Sequence, residues 1–211
     1  FNKFCLQLSK THSKKDDVMN IMPIIKVAEA ELKAIYEDLH IHPEIGFEET
    51  RTSAIIAGKL KDYGVDEVHT GFGKTGVVGL IHGKSRGNRR VGVRADMDAL
   101  PIDEISGVAY SSKTQGTMHA CGHDGHTTML LGAAKHLAQT REFDGTAVLI
   151  FQPAEEGLGG ARKMIEDGLF QQFPCDEIFG MHNSPNGRPG TFDICKGVAM
   201  AGASFFDINI R

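Results

Sequence analysis

One short stretch of the chain concentrates side chains that bind divalent metals or transfer protons. Residues 119–126, HACGHDGH, contain three histidines, a cysteine and an aspartate. Cys121 and His123 are separated by Gly122, which allows the backbone to bend tightly between them. A thiolate beside imidazoles is a ligand set typical of zinc, and of manganese, cobalt or nickel when carboxylates join. Asp124 either takes part in this site or caps the helix that follows.

A second pair of candidate groups is Glu155 and Glu156, which follow an apolar run and Gln152-Pro153. Adjacent carboxylates in a cleft are costly unless a cation compensates their charge. A metal site would divide their roles, with one carboxylate as a ligand and the other as a general base. For an isolated glutamate pair the alternative is a solvated acidic turn.

Three further sets of polar side chains lie beside predicted elements. His182 follows a strand and is a candidate third ligand, with a buried core histidine as the alternative. Asp96 and Asp98 follow another strand, where they either bind metal or orient a ligand histidine. His40 and His42 also form a possible metal pair, although polar groups at a helix exit are the favoured interpretation.

Periodicity predicts alternating helices and strands. The predicted helices are 26–39, 50–63, 124–139 and 158–167, and the predicted strands are 77–82, 90–95, 147–151, 177–181, 191–194 and 204–211. Residues 83–88 have the composition of a hairpin turn. This alternation predicts an α/β fold with a sheet flanked by helices. Because sites in such folds form outside the carboxyl ends of strands, the polar groups after three strands are expected to converge.

Composition and charge exclude several other classes of protein. The chain is 41% apolar and 24% charged, with a formal net charge of −4, which argues against a nucleic-acid partner. No run approaches the roughly 18 apolar residues of a transmembrane helix, so no membrane partner is expected. The four cysteines are scattered without a CxxC pair, which predicts a reducing compartment and a cytoplasmic protein.

Five motifs in the chain closely resemble those of the M20 metallopeptidase family. They are residues 38–49 (DLHIHPEIGFEE), 94–101 (RADMDALP), 118–126 (MHACGHDGH), 151–156 (FQPAEE) and 181–183 (MHN). The similarity covers roughly residues 26–211. The subgroup it resembles contains hippurate hydrolases, N-acyl-amino-acid amidohydrolases and plant auxin–amino-acid conjugate hydrolases.

The resemblance implies a mixed sheet flanked by helices, in a zinc-peptidase-like three-layer α/β/α catalytic domain. It also implies two divalent metal ions (Zn, Mn, Co or Ni). By motif position, four residues correspond to metal ligands: Cys121, His123, Glu156 and His182. The expected catalytic pair is Glu155, as general base, and Asp98, as the aspartate that supports a metal-binding histidine. Asp96 stands where the wider family has a histidine.

The chain is also expected to divide into an N-terminal extension and parts of two domains. Residues 1–25 are expected to form a poorly structured extension, 26–203 part of the metal-dependent catalytic domain, and 204–211 the first strand of an inserted α+β lid domain. In the family the lid often forms a dimer interface, so a homodimer is expected for the full-length protein. The last histidine ligand and a lid histidine are expected to lie beyond this chain.

The expected reaction is hydrolysis of the amide bond of a hippurate-like N-acyl amino acid, which releases a carboxylic acid and an amino acid. Two alternatives stay open within the same chemistry: a deacetylase of an N-acetyl-diamino acid, and a carboxypeptidase. A third alternative is a metal-binding chain that is catalytically incomplete.

Overall fold

The computed structural model describes residues 21–185, 192–194, 197–198, 206 and 208–210. In that part of the chain the helices are α1 (Ile21–Ile41), α2 (Thr50–Asp62), α3 (His123–Thr140), α4 (Gly160–Glu166) and α5 (Leu169–Gln172). The strands are β1 (Glu67–Phe72), β2 (Gly76–His82), β3 (Ser85–Asp96), β4 (Asp144–Gln152) and β5 (Glu177–Gly180). No helix in these residues is long and apolar enough to cross a membrane.

The strands form one five-stranded mixed sheet in the order β1-β2-β4-β3-β5. Strand β2 is antiparallel to both of its neighbours, β1 and β4. Strand β3 is parallel to both of its neighbours, β4 and β5. A mixed sheet flanked by helices is therefore confirmed.

The central strands are apolar on both faces because helices cover both sides. Leu149 and Phe151 of β4 pack in a cluster that includes residues of α1, α2 and α3. Val148 and Ile150 alternate with them and pack against Met164 of α4 and its neighbours on the other face. Burying one such side chain contributes about 1.5–3 kcal/mol, so the two clusters hold the three layers together.

The beginning of α2 depends on a side chain from the preceding loop. The carboxylate of Glu44 accepts hydrogen bonds from the backbone N–H groups of Arg51, at 3.0 Å, and Thr52, at 2.8 Å. These N–H groups lie in the first turn, where no helical carbonyl is available to them. Gly64 follows the last turn with a φ of +78°, in the left-handed region that favours glycine at the end of a helix.

Several predicted element boundaries differ from the structure. Helix α1 begins five residues before the predicted start at residue 26 and ends close to the predicted position, just before Pro43. The predicted helix 158–167 is shorter, and a separate turn of helix, α5, follows Gly168. Strand β1 was not predicted, because its residues alternate poorly between apolar and polar types and most of them are exposed or half-buried.

The predicted hairpin between β2 and β3 is wrong. The two strands are not neighbours, because β4 lies between them and pairs with each. The turn residues 83–88 do reverse the chain, but β4 is apolar on both faces and fills the centre of the sheet. Turn composition indicates a change of direction and leaves the pairing partner open.

The last two predicted strands fall partly outside the described residues. Residues 192–194, within the predicted strand 191–194, carry no strand in the structure. The same holds for residues 206 and 208–210 of the predicted strand 204–211. The side chains of Phe206, Ile208 and Ile210 are each at least 75% exposed.

Ile56→Ala tests the core between α2 and the sheet. Ile56 is 0% exposed, and removing its side chain leaves a cavity that costs about 2–5 kcal/mol of unfolding free energy. Urea unfolding followed by circular dichroism measures the loss. The matched control is Ile165→Ala in α4, where the isoleucine is 46% exposed; it is expected to change stability little, and equal losses in both variants would contradict the assigned core.

Candidate metal centre

The candidate site lies at one edge of the sheet, where three parallel strands end. Because β4, β3 and β5 run in the same direction, their carboxyl ends lie side by side. The polar groups that follow are Asp98 after β3, Glu155 and Glu156 after β4, and His182 after β5. The predicted convergence of these groups is confirmed by the groupings and distances of their side chains.

The loop that enters α3 brings a thiol and an imidazole to the same edge. Gly122 has a φ of +86°, in the left-handed region that favours glycine. A Cβ at this position would lie 2.1 Å from Nδ2 of Asn183, so the close approach also requires glycine. The turn directs Cys121 and His123 toward His182, and the ligand atoms of these three residues lie within 4.8 Å of one another. Cys121 Sγ is 3.3 Å from His182 Nε2.

His123 also belongs to a second group of potential ligands. Its ligand atom and those of Glu155 and Glu156 lie within 4.8 Å of one another. His123 Nε2 is 3.8 Å from Glu156 Oε1. Glu156 is half-buried and Glu155 is exposed, so the two adjacent carboxylates have different environments. The two ligand groups meet at His123 and form one continuous cluster of metal-binding atoms.

The chemistry of these residues fits a divalent metal. His123 is fully buried, and within the described part of the chain its Nε2 atom has no hydrogen-bond partner, although it faces this cluster of ligand atoms. Burial and the neighbouring Glu156 raise the pKa of the Cys121 thiol to about 12. The thiolate that metals require therefore depends on a positive charge brought to the cluster. Thiolate, imidazole and carboxylate together match zinc and related transition metals.

Asp98 holds His123 from the side opposite the cluster. Asp98 Oδ1 lies 3.2 Å from His123 Nδ1, and Asp98 Oδ2 accepts a hydrogen bond of 3.0 Å from the backbone N–H of Glu156. Burial alone would raise the pKa of Asp98, but these hydrogen bonds outweigh it and lower the pKa. Of the two roles left open by the sequence, the contacts support orientation of a histidine.

Asp96 makes the same kind of contact with a different histidine. Asp96 Oδ1 lies 2.6 Å from His126 Nδ1, and Arg94 donates to Asp96 Oδ2 at 2.7 Å. Burial would raise the pKa of Asp96, but His126 and Arg94 lower it to about 2. His126 Nε2 accepts a hydrogen bond of 3.0 Å from the backbone N–H of Asn183. Asp96, His123 and His126 also group closely enough to hold a metal, but the direct Asp96–His126 contact favours a supporting network.

Arg94 and Asn183 are the members of this network that motif reasoning did not single out. Both lie inside recognised motifs, and Asn183 directly follows His182. Their polar character at the ends of β3 and β5 was the available signal. Which partner each one binds depends on the strand order, which the sequence leaves open.

His40 and His42 do not form a metal pair. The ring nitrogens of His40 contact Asp124 Oδ2 at 2.6 Å and Glu104 Oε1 at 3.2 Å. His42 instead contacts the backbone carbonyl of Asp38 at 2.9 Å. His40 thus ties α1 to the start of α3 and to the long loop after β3, which agrees with the favoured structural interpretation. Asp124 thus serves as the partner of His40 through Oδ2, and its Oδ1 accepts a hydrogen bond of 2.8 Å from the N–H of Gly125 in the first turn of α3.

His119 is buried with its ring centre 6.5 Å from that of His40, and neither of its ring nitrogens has a hydrogen-bond partner in the described part of the chain. Burial lowers its pKa to about 4, so the ring is neutral near pH 7. His119 belongs to none of the ligand groups found among the described residues.

Comparison with known proteins identifies the family of the chain. The sequence profile of peptidase family M20/M25/M40 matches residues 92–205, more than half of the chain. A hippurate hydrolase of Campylobacter jejuni is 49% identical over 91% of this chain and 49% of its own length. An N-acetylcysteine deacetylase of Bacillus subtilis is 43% identical over 82% of this chain and 45% of its own length.

A solved structure shares the fold. The crystal structure of the Bacillus subtilis YXEP protein, described as a dinuclear metal binding peptidase from the M20 family, superposes with a TM-score of 0.71. It is 43% identical, over 76% of this chain and 45% of that protein. The chain belongs to peptidase family M20/M25/M40. It spans about half the length of the curated relatives it matches.

The contacts of His40 predict a pH-dependent contribution to stability. Burial would lower the pKa of His40, but its hydrogen bonds to Asp124 and Glu104 outweigh this and raise it. A raised folded-state pKa means that the contribution is complete below the unfolded value of about 6.5 and is lost as pH rises through the folded value. With a metal chelator present, the urea midpoint of the unmodified chain should therefore fall as pH rises above about 6.5, and that of His40→Gln should change less.

The matched control for this measurement is His69→Gln, because His69 lies on β1 with a side chain that is 39% exposed. Its pH profile should follow that of the unmodified chain. A His40→Gln profile that also follows it would contradict the assigned role of His40.

Proposed function

We propose that this chain carries the metal centre of an enzyme that hydrolyses the amide bond of N-acyl amino acids. The products would be a carboxylic acid and a free amino acid, as from a hippurate-like substrate. The observation that carries the proposal is the meeting of two ligand groups on His123, one with Cys121 and His182 and one with Glu155 and Glu156.

The proposed metal ligands are Cys121, His123, Glu156 and His182, which would hold two divalent ions chosen from zinc, manganese, cobalt and nickel. When bound, such ions act as Lewis acids toward an amide carbonyl and make a nearby water more acidic. Glu155 is the proposed general base, because it is the exposed member of the carboxylate pair and keeps access to solvent and substrate. It accepts a proton from the attacking water and passes it to the leaving amine nitrogen.

Asp98 is proposed to assist without touching the substrate. It contacts the ring nitrogen of His123 that faces away from the cluster and also accepts a hydrogen bond from the backbone N–H of Glu156. One carboxylate thereby orients two proposed ligands. Such contacts fix the ring orientation and raise the basicity of a ligand histidine.

The choice of substrate class is supported by the relatives. The Campylobacter jejuni relative is named a hippurate hydrolase, at 49% identity. The alternatives are supported by other names: an N-acetyldiaminopimelate deacetylase of Oceanobacillus iheyensis is 40% identical, and a thermostable carboxypeptidase of Saccharolobus solfataricus is 44% identical. Benzoyl-glycine, an N-acetyl-diamino acid and a peptide with a free C-terminus, offered as parallel substrates, distinguish the three.

The domain division and the partners are part of the proposal. Residues 26–203 would form part of the catalytic domain, and 204–211 would begin a lid domain that pairs two copies of the protein. Exposed apolar side chains at alternate positions, Phe206, Ile208 and Ile210, support a contact surface there. The free thiols of Cys121 and Cys175 support a reducing, cytoplasmic location.

Glu155→Gln tests the general base. In the protein as its gene encodes it, the variant should keep its bound metal but lose turnover by at least about 100-fold, because an amide cannot accept the proton. Hydrolysis of benzoyl-glycine and elemental analysis measure the two effects. Glu142→Gln, at a side chain that is 74% exposed, is the control and should keep full activity. Preserved turnover in Glu155→Gln would contradict the assignment of Glu155 as the general base.

Cys121→Ala tests the ligand group. After removal of metal with a chelator, calorimetric titration with zinc and with manganese should show an affinity at least about 10-fold lower than that of the unmodified protein. Cys175→Ala is the control, because the Cys175 thiol packs beside Gly92 of β3 and belongs to none of the ligand groups found among the described residues. Equal affinity in the two variants would exclude Cys121 as a ligand.

A further inference from the structure

The buried side chain of Glu49 does not cap helix α2, although Glu49 occupies the position from which side chains often do so. It is the residue that precedes the first turn of α2, a position whose side chain often accepts hydrogen bonds from that turn. No such bond forms, because Glu44 supplies the cap instead. The side chain of Glu49 is fully buried and turns toward the sheet.

The two oxygens of this carboxyl group join two distant parts of the chain. Oε2 accepts a hydrogen bond of 2.6 Å from the hydroxyl of Thr75, in the turn before β2. Oε1 accepts a hydrogen bond of 2.8 Å from the backbone N–H of Ala154, just after β4. Burial raises the pKa of Glu49, and these two hydrogen bonds oppose that effect.

Ala154 has an unusual backbone conformation that its surroundings enforce. Its φ is +49°, in the left-handed region that non-glycine residues rarely adopt. Its carbonyl accepts a hydrogen bond of 2.9 Å from the N–H of Gly160. A Cβ on Gly46 would lie 2.9 Å from the Ala154 Cα, so the loop before α2 packs directly on this residue. Strained conformations of this kind persist only where neighbouring groups fix them.

Glu155 immediately follows Ala154, and the backbone of the residue after Glu155 is also fixed by a hydrogen bond. The N–H of Glu156 donates to Asp98 Oδ2 at 3.0 Å. The loop after β4 is therefore attached through two backbone N–H groups to two buried carboxyl groups, Glu49 before Glu155 and Asp98 after it. The direction of the Glu155 side chain depends on both.

We propose that Glu49 is a positioning residue for Glu155, which it directs toward the metal centre by fixing the backbone of Ala154. This inference rests on the proposed function of Glu155 as the general base. A general base must lie within hydrogen-bond reach of the proton that it removes, so a small displacement of its backbone lowers turnover. Glu49 itself belongs to none of the ligand groups found among the described residues.

A purely structural role explains the buried carboxyl group less well. An apolar side chain of similar volume would fill the same space without the cost of removing a carboxyl group from water. What only a polar side chain supplies is an acceptor for the N–H of Ala154 and a partner for Thr75. Glutamine offers both, since its amide oxygen accepts from Ala154 and its NH2 group donates to the Thr75 hydroxyl.

The test compares Glu49→Leu with Glu49→Gln in the protein as its gene encodes it. Glu49→Leu should lower kcat on the order of 100-fold with KM within about threefold, because substrate binding is unaffected while the base is displaced. Its bound metal should equal that of the unmodified protein. Glu49→Gln should restore most of kcat. Glu48→Leu, at the exposed neighbouring glutamate, is the matched control and should keep kcat and KM.

A second measurement needs neither metal nor substrate. Hydrogen exchange of the backbone over residues 153–157 should be faster in Glu49→Leu than in Glu48→Leu, because the N–H of Ala154 loses its acceptor. Thr75→Val, which removes one partner of the carboxyl group and keeps the loop intact, should show a smaller change in the same direction. This variant tests the contact even if Glu49→Leu fails to fold.

Two results would overturn the inference. One is equal kcat in Glu49→Leu and Glu49→Gln with only a lower melting temperature in the former, which indicates a structural role. The other is unchanged exchange over residues 153–157 in both Glu49→Leu and Thr75→Val. Absence of hydrolysis by the unmodified protein overturns the proposed function instead, and the exchange measurement still decides whether Glu49 holds the loop.

Discussion

The parallel pairing of β3 with both β4 and β5 determines where the candidate site lies. Arg94 of β3 pairs with Ile150 of β4 and with Gly180 of β5, so the three strands end nearly level. Each strand is followed within a few residues by groups that bind metals or protons. Groups separated by tens of residues in the sequence therefore meet at one edge, and the antiparallel strand β2 contributes mainly to the core.

Much of the site could be predicted because its residues occur in short local motifs. Cys121 and His123 lie on one turn, and Glu155 and Glu156 are neighbours, so their proximity needs no knowledge of the fold. His182 required one further assumption, that strand ends converge. Helix positions were predicted well where apolar spacing was regular, as in α2 and α3.

The strand order and the supporting contacts could not be predicted in the same way. A turn of suitable composition links β2 to β3, yet β4 separates them, because burial on both faces makes β4 the centre of the sheet. Glu48 and Glu49 are adjacent and chemically identical, but one is exposed and the other fully buried. Only tertiary packing distinguishes them, since the direction of each side chain depends on where α2 meets the sheet.

The acidic groups at this edge fall into two sets with different electrostatic roles. Asp96 is compensated by Arg94 and His126, and Asp98 by His123 and a backbone N–H. Among the described residues, no lysine or arginine forms an ion pair with Glu155 or Glu156, and those carboxylates also raise the pKa of Cys121.

The compensated carboxylates, Asp96 and Asp98, hold histidine rings and backbone N–H groups in place. The uncompensated carboxylates, Glu155 and Glu156, face the candidate metal centre. Bringing such like charges together is costly unless a cation joins them. A divalent cation would relieve this repulsion and lower the pKa of the thiol at the same time. The cluster therefore favours a positive charge next to His123 Nε2, which has no hydrogen-bond partner among the described residues.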